Sequence, residues 1–206
     1  MKRMYIAGGF LCVIFLMFLL MNNEYTVTDF PRKEGPIVAY GDSLVEGYGV
    51  NEGEAFSYVL SERIGEEIIN LGESGNTTVD GLTRIRELES YEPRLVIILL
   101  GGNDSIKKLP PEQTFDNLST LIETLHAKNT AVLLVGITGG FNYAKTYEKE
   151  FEKLAKEQGV AYVPNILKGL IGKREFMYDT IHPNKEGHIK MANKIEPELQ
   201  KLLEHM

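Results

Sequence analysis

Leu95-Val-Ile-Ile-Leu-Leu100 is followed directly by Gly101-Gly-Asn103-Asp104, and this junction decides the fold predicted for the chain. Six consecutive apolar residues that end at a glycine are typical of a strand buried on both faces, as in a parallel sheet. Ala131-Val-Leu-Leu-Val135 repeats the pattern and is also followed by a glycine, Gly136. The two runs predict a parallel sheet with helices on both faces.

Three shorter apolar runs complete a set of five candidate strands; they are Ile37–Tyr40, Glu67–Leu71 and Val160–Val163. Between the strands, apolar residues recur at intervals of three and four, which predicts amphipathic helices. The predicted helix faces consist of Val79, Leu82, Ile85 and Leu88; of Leu118, Leu121, Ile122 and Leu125, after Pro110-Pro111; and of Ile189, Ala192, Ile195, Leu199 and Leu202. This alternation predicts a three-layer α/β/α sandwich with right-handed crossovers.

The first 21 residues differ from the rest of the chain. Residues 5–21 are uncharged and mostly apolar, and Lys2 and Arg3 precede them. This pattern predicts an N-terminal hydrophobic helix that acts as an uncleaved signal anchor, with a cleaved signal peptide and a core helix as the alternatives. Both signal interpretations place the domain outside the cytoplasm, anchored to the membrane or secreted. We therefore predict an anchor or signal peptide over residues 1–21, a linker over 22–35 and one domain over 36–206.

Charge and cysteine content exclude several classes of partner and site. The chain has 22 basic and 29 acidic residues, a net charge of −7. Lys2 and Arg3 lie in the leader and every acidic residue follows it, so the rest of the chain carries −9. An acidic domain without a basic cluster repels phosphate backbones, and no nucleic-acid partner is expected. The single cysteine, Cys12, lies in the leader, which excludes an internal disulfide and a cysteine-based zinc site.

Polar side chains follow the predicted strands, at the edge where ligands bind in open α/β sheets. Ser43 follows the first strand, and Asp179 and His182 stand three residues apart before the C-terminal helix. Residues at this spacing meet across one turn, so the aspartate can orient the imidazole and leave its second nitrogen free to accept a proton. Ser43 is then the available nucleophile.

Three candidate donors for an oxyanion come from three different strand ends. They are the backbone N–H groups of Ser43 and Gly75 and the side-chain amide of Asn103. Glycine at position 75 lets the backbone approach a substrate closely. None of the other histidines, His126, His188 and His205, has metal-ligand spacing with acidic residues, and no glycine-rich phosphate loop follows the first strand. Neither a metal nor a nucleotide cofactor is therefore expected.

Each of these residues has a simpler interpretation when it is taken alone. Asp42 and Ser43 could form a turn or a helix cap, and His182 could be a surface histidine. Phe141 and Tyr143, after the fourth strand, could line an acyl pocket or pack over the sheet edge. The joint placement at matching strand ends favours catalysis over a non-catalytic binding protein that keeps the fold as a platform.

Four motifs at these junctions carry a family resemblance: Gly41-Asp42-Ser43-Leu44, Asn70-Leu-Gly-Glu-Ser-Gly75-Asn-Thr-Thr, Gly101-Gly-Asn103-Asp104 and Asp179-Thr-Ile-His182-Pro-Asn184. The chain resembles the GDSL, or SGNH, hydrolase family of serine esterases and lipases, and within it the small single-domain lysophospholipase, thioesterase and arylesterase branch. The resemblance implies a flavodoxin-like, five-stranded parallel sheet in the order 2-1-3-4-5. It also implies that Ser43 is the nucleophile, His182 the base and Asp179 its partner, with Ser43, Gly75 and Asn103 forming the oxyanion hole.

Two positions depart from the usual family motifs. Asn76 stands where Asp is more usual and Thr180 where Gly is common, and neither position carries an implied catalytic role. The expected function is a serine acyl hydrolase that cleaves carboxylic esters, including lysophospholipids or thioesters, through an acyl-enzyme. A carbohydrate O-acetyl esterase that acts on cell-wall or extracellular glycan is the alternative, because it would use the same residues.

Overall fold

A computed structural model of the chain describes residues 34–137 and 144–206. Within these residues the strands are β1 Ile37–Gly41, β2 Ile68–Gly72, β3 Leu95–Leu99, β4 Ala131–Val135 and β5 Ala161–Val163. All neighbouring pairs are parallel, and the order across the sheet is β2-β1-β3-β4-β5. The predicted fold class and strand order are therefore confirmed. The predicted N-terminal helix over 1–21 lies outside the described residues.

Helices flank the sheet, as the alternating pattern predicts. They are α1 Ser43–Glu46, α2 Phe56–Ile64, α3 Thr78–Arg84, α4 Arg86–Tyr91, α5 Gly102–Ile106, α6 Pro111–His126, α7 Ala144–Gln158 and α8 Lys185–His205. Helix α2 packs against α8, and α6 packs against both α3 and α7. No helix within the described ranges is both long and apolar enough to cross a membrane.

The centre of the sheet is the most deeply buried part of the described chain. Every residue of β1, β3 and β4 is buried, which explains why these strands lack an alternating polar pattern. Gly41 at the end of β1 is in register with Gly72 of β2 and with Leu99 of β3. Because these three carboxyl ends are level, the loops that follow them meet at one edge of the sheet.

The helical segment after β2 differs from the prediction in two ways. The predicted continuous face from Val79 to Leu88 is interrupted at Ile85, where α3 gives way to α4, and Val79 is 41% exposed. The buried residues of α3 are instead Thr78 and Gly81, each one position before the predicted Val79 and Leu82. The helix is therefore rotated about its axis by one residue relative to the prediction. Thr78 turns inward because its hydroxyl donates to the buried Asp104 carboxylate at 2.5 Å. A buried polar pair therefore decides which face of this helix is covered.

Helix α8 contains a buried histidine that the sequence did not single out. His188 is 0% exposed, and its Nδ1 atom accepts a hydrogen bond from the Phe56 N–H at 3.2 Å, which ties α8 to the start of α2. Its Nε2 atom has no hydrogen-bond partner. Burial, with a smaller contribution from His182, lowers the pKa of His188 to about 4, so the folded protein keeps this side chain neutral.

We expect His188 to make the fold less stable in acid. Its pKa is about 6.5 in the unfolded chain and about 4 when folded. The unfolded state therefore binds more protons as the pH falls from about 6.5 to about 4, and the free energy of unfolding drops by roughly 3 kcal/mol over that window. Denaturant titrations of the wild-type chain and of His188→Asn, which retains an acceptor for Phe56 N–H, measure this component.

The wild-type chain must be compared with His188→Asn because a second buried group, Asp42, changes the free energy of unfolding with pH in the opposite direction. The raised pKa of Asp42 makes its contribution to stability greatest at low pH and lost as the pH rises through about 7. Asp42 is present in both proteins, so it cancels in the difference. An equal acid dependence in wild type and His188→Asn would contradict the assignment.

Candidate active site

Ser43 is held at the end of β1 by a short capped helix. The Asp42 carboxylate accepts a hydrogen bond from the Leu44 N–H at 3.0 Å and thereby caps the first turn of α1, which begins at Ser43. Helix α1 lies directly on the end of β2, because a Cβ atom at Gly72 would come within 2.0 Å of the Glu46 backbone nitrogen. The serine is thus fixed by main-chain contacts, and it is 9% exposed.

Asp179 and His182 meet within one tight turn before α8. The Asp179 Oδ1 atom accepts from the N–H groups of Ile181, at 2.8 Å, and His182, at 2.7 Å. The other oxygen, Oδ2, lies 2.7 Å from His182 Nδ1. The turn is closed by a 2.8 Å hydrogen bond from Tyr178 N–H to the His182 carbonyl and by a bridge between Met177 and Pro183.

The third contact joins this turn to the serine. His182 Nε2 lies 3.1 Å from Ser43 Oγ. Because the carboxylate can only accept, Nδ1 carries the proton and Nε2 is left to accept from the serine hydroxyl. Burial alone would raise the pKa of Asp179, but the hydrogen bonds from His182 and from the backbone outweigh it and lower the pKa to about 2. The Asp179 carboxylate is therefore ionised at neutral pH.

Asn103 lies between the segments that carry Ser43 and Gly75. It stands in the first turn of α5, directly after β3, and its Nδ2 atom donates to the Asn76 carbonyl at 2.9 Å. The same nitrogen lies 3.3 Å from Asp42 Oδ2. Gly75 has a positive φ of 82°, and no heavy atom beyond its own chain neighbours lies within 4 Å of the place a Cβ atom would occupy. Its backbone is therefore open to an incoming group.

Two buried carboxyl groups support these loops. Asp104 is completely buried and accepts from the Thr78 N–H at 3.0 Å, which joins the loop after β3 to the start of α3. Asp42 is also buried, and burial raises its pKa to about 7; the N–H of Leu44 opposes this shift and the charge of Asp104 adds to it. Through these contacts, the two carboxyl groups hold the segments that follow β1 and β3 in place around Ser43.

Serine, imidazole and carboxylate thus form one continuous hydrogen-bonded chain at the carboxyl edge of a parallel sheet. A hydroxyl next to an unprotonated nitrogen of an oriented imidazole is the arrangement of a serine hydrolase. The candidate site therefore has the geometry that this class of enzyme requires.

Comparison with known proteins gives the family. Residues 39–189 match the family model described as "GDSL-like Lipase/Acylhydrolase family", and the chain belongs to this family. It is 32% identical to thioesterase 1/protease 1/lysophospholipase L1 of Escherichia coli (strain K12) over 177 residues, which is 82% of this chain and 85% of that protein. It is 33% identical to an arylesterase of Vibrio mimicus over 178 residues, covering 81% of this chain and 89% of the relative.

A solved structure agrees with this family assignment. The psychrotrophic esterase EstA from Pseudoalteromonas sp., solved in a form inhibited by monoethylphosphonate, superposes with a TM-score of 0.74 at 26% identity and covers 83% of this chain and all of its own. The relatives belong to the small single-domain branch that the motifs indicate, and the chain is an enzyme that hydrolyses ester bonds.

The structure thus brings Ser43, Asp179 and His182 into contact, and it places Gly75 in the segment after β2 and Asn103 in the adjoining first turn of α5. Phe141 and Tyr143, named as candidates for an acyl pocket, lie outside the described residues. Sequence reasoning assigned no role in the site to Tyr48, although it ends the Gly-Asp-Ser-Leu-x-x-Gly-Tyr motif at residues 41–48; its half-exposed ring packs against the His182 ring with centroids 4.5 Å apart. The motif does not reveal this contact, because the contact depends on how α1 and the Asp179 turn meet.

Proposed function

We propose that the protein is a serine acyl hydrolase that cleaves carboxylic esters through an acyl-enzyme, with Ser43 as nucleophile, His182 as general base and acid, and Asp179 as the group that orients the imidazole. The observation that supports this most is the continuous chain of contacts, 3.1 Å from Ser43 to His182 and 2.7 Å from His182 to Asp179. Nucleophile, base and orienting carboxylate are thus each within hydrogen-bonding reach of the next.

In the first half-reaction, Ser43 Oγ attacks the ester carbonyl carbon and its proton passes to His182 Nε2. The ionised Asp179 stabilises the imidazolium that forms. The tetrahedral intermediate then collapses as His182 donates the proton to the leaving alcohol, which leaves the acyl group on Ser43. Water, deprotonated by the same imidazole, attacks the acyl-enzyme and releases the carboxylic acid.

The developing oxyanion is bound by the N–H groups of Ser43 and Gly75 and by the amide of Asn103. In the resting protein the Asn103 nitrogen is shared between the Asn76 carbonyl and the Asp42 carboxyl group. The contact with Asp42 is the longer of the two, at 3.3 Å, so we expect the oxyanion to take the place of this weaker acceptor while the 2.9 Å contact keeps the amide in place.

The names of the relatives support an acyl substrate with a carboxylic ester or thioester linkage. A series of p-nitrophenyl acetate, butyrate and octanoate, together with a long-chain acyl thioester and a lysophospholipid, tests this. We expect hydrolysis to extend to the longer acyl chains. A sharp optimum at acetyl, with activity on acetylated glycan, would favour the carbohydrate esterase instead. Absence of turnover on every ester would contradict the proposal.

We also propose that residues 1–21 anchor the enzyme in the membrane and that residues 22–35 link this anchor to a domain outside the cytoplasm. The support is the uncharged apolar run of residues 5–21 behind Lys2 and Arg3. Fractionation of expressing cells tests it. A full-length chain that stays with membranes after an alkaline carbonate wash fits the anchor, and a shortened chain in the medium indicates cleavage.

A further inference from the structure

The segment between β2 and α3 carries Gly75, whose own carbonyl accepts a hydrogen bond from the exposed Lys107 Nζ atom at 3.0 Å. The position of a Cβ atom on this residue is open, with no heavy atom beyond its own chain neighbours within 4 Å, and the backbone is left-handed with a φ of 82°. The direction of the Gly75 N–H therefore depends on contacts made by the residues on either side. An oxyanion donor must be fixed before the reaction, since a donor that reorients during the reaction stabilises the transition state less.

Arg84, the last residue of α3, contacts this segment on both sides of Gly75. Its Nη1 atom donates to the Asn76 side-chain oxygen at 2.7 Å, and its Nη2 atom donates to the Leu71 carbonyl at 3.3 Å. Its Nε atom lies 3.0 Å from a carboxylate oxygen of Glu73. One guanidinium group thus holds the segment at residues 71, 73 and 76.

The guanidinium group of Arg84 is itself held in place by Glu87 and Tyr40. It makes two hydrogen bonds with the Glu87 carboxylate, at 3.1 and 2.8 Å, and lies over the Tyr40 ring at 5.3 Å from the centroid. The Tyr40 hydroxyl in turn donates to the Gly81 carbonyl at 2.6 Å. The Arg84 side chain is 13% exposed, whereas its partners Glu73 and Glu87 are 54% and 42% exposed, so the guanidinium is packed against the protein and the carboxylates face water.

Other contacts reach the same segment at single points. Lys107 Nζ donates to the Gly75 carbonyl at 3.0 Å, Asn103 donates to the Asn76 carbonyl, and the Ser74 hydroxyl contacts the Glu46 carboxylate. Lys107 and Ser74 are exposed, whereas the planar guanidinium of Arg84 is partly buried. A main-chain hydrogen bond from Asn76 N–H to the Glu73 carbonyl, at 3.2 Å, closes the turn across Gly75. Arg84 is the side chain among these contacts that reaches both flanks of Gly75 at once.

We propose that Arg84 is a positioning residue for the oxyanion hole, acting through the main chain at Gly75. This inference rests on the proposed function, because it assigns Arg84 to the same catalytic step. Arg84 does not touch the substrate, so its loss lowers kcat and leaves KM nearly unchanged. Lysine cannot replace it fully, because an ammonium group cannot present a planar fork to three acceptors around it.

The test compares Arg84→Ala with Arg63→Ala in the full chain, on the same p-nitrophenyl ester. Arg63 is a matched control, since its Nη1 atom contacts Asn193 and Glu196 between α2 and α8, with no contact to the Gly75 segment. Removing one oxyanion donor costs about 10²–10³ in kcat, so loosening one donor predicts a loss of about 10- to 100-fold in Arg84→Ala with KM within about twofold. Arg63→Ala keeps wild-type kcat.

Two further readouts separate positioning from folding. Near-ultraviolet circular dichroism of Arg84→Ala is expected to match wild type. Added guanidinium ion, at a concentration well below denaturing levels, is expected to restore part of the lost kcat, whereas sodium chloride at equal ionic strength does not. Arg84→Lys is expected to fall between alanine and wild type.

The inference is overturned if Arg84→Ala retains kcat within about twofold of wild type, or if its loss of activity follows loss of folded protein and guanidinium restores nothing. A wild-type chain that hydrolyses none of the esters and thioesters named above would overturn the proposed function, and Arg84's role with it. A wild-type chain that is active beside an equally active Arg84→Ala would overturn only the role of Arg84.

Discussion

Replacing Ser43 by alanine is expected to lower kcat for ester hydrolysis by about 10⁴-fold or more, because the acyl-enzyme can no longer form. The fold is expected to remain intact, since α1 is capped by the Asp42 side chain and by main-chain contacts that alanine preserves. Burst-phase and steady-state kinetics with p-nitrophenyl butyrate measure the effect, and thermal unfolding checks the fold.

The matched control is Ser119→Ala. Ser119 lies on α6, where its hydroxyl donates to Glu123 at 3.0 Å, so its removal tests the general cost of losing a serine hydroxyl. Its activity is expected to equal that of wild type. If Ser43→Ala retained full activity, the nucleophile would have to be another residue.

Replacing His182 by glutamine is expected to have an effect of the same order, about 10⁴-fold in kcat, because no group remains within reach of Ser43 Oγ to take its proton. The Asp179 turn is expected to survive, since two of its hydrogen bonds come from the backbone N–H groups of residues 181 and 182. Single-turnover rates on the same ester give the loss in the acylation step.

His205→Gln provides the control for this variant, because His205 is the last residue of α8 and contacts the Lys201 carbonyl one turn earlier. Combining Ser43→Ala with His182→Gln gives a second check. The double variant is expected to be no slower than either single variant, since the two residues act as one unit. Independent, multiplicative losses would argue that the imidazole does not activate Ser43.

The parts of the structure that the sequence predicts well are those set by local pattern. Residues 95–100 and 131–135 could be assigned to buried strands because continuous apolar runs of that length, ended by glycine, suit a parallel sheet. The strand order was implied by the family resemblance that the motifs carry. The same motifs selected the residues that the structure places around Ser43, which are Gly75, Asn103, Asp179 and His182. Several strands begin or end one residue away from the predicted position. The last residue of a strand is set by its hydrogen bonds to the neighbouring strand, which the local sequence does not record.

The parts that the sequence did not predict depend on contacts between distant segments. The inward face of α3 is set by Thr78 meeting Asp104, 26 residues later, and no periodicity records that pair. In the sequence, His188 is one of several polar residues near the start of a helix, and nothing marks it as buried. The packing of α8 on α2 buries it completely. Arg84 likewise has no motif of its own. Its importance arises because one guanidinium reaches three residues around Gly75 that are 8 to 13 positions away.

The most direct test of the central claim is covalent modification of the full chain by a fluorophosphonate, followed by intact mass measurement and peptide mapping. The relative solved with monoethylphosphonate is itself inhibited by a phosphonate, which supports this choice of probe. The account predicts one equivalent of adduct, located on Ser43, and none on Ser43→Ala. An unmodified folded protein, or an adduct on a different residue, would contradict it.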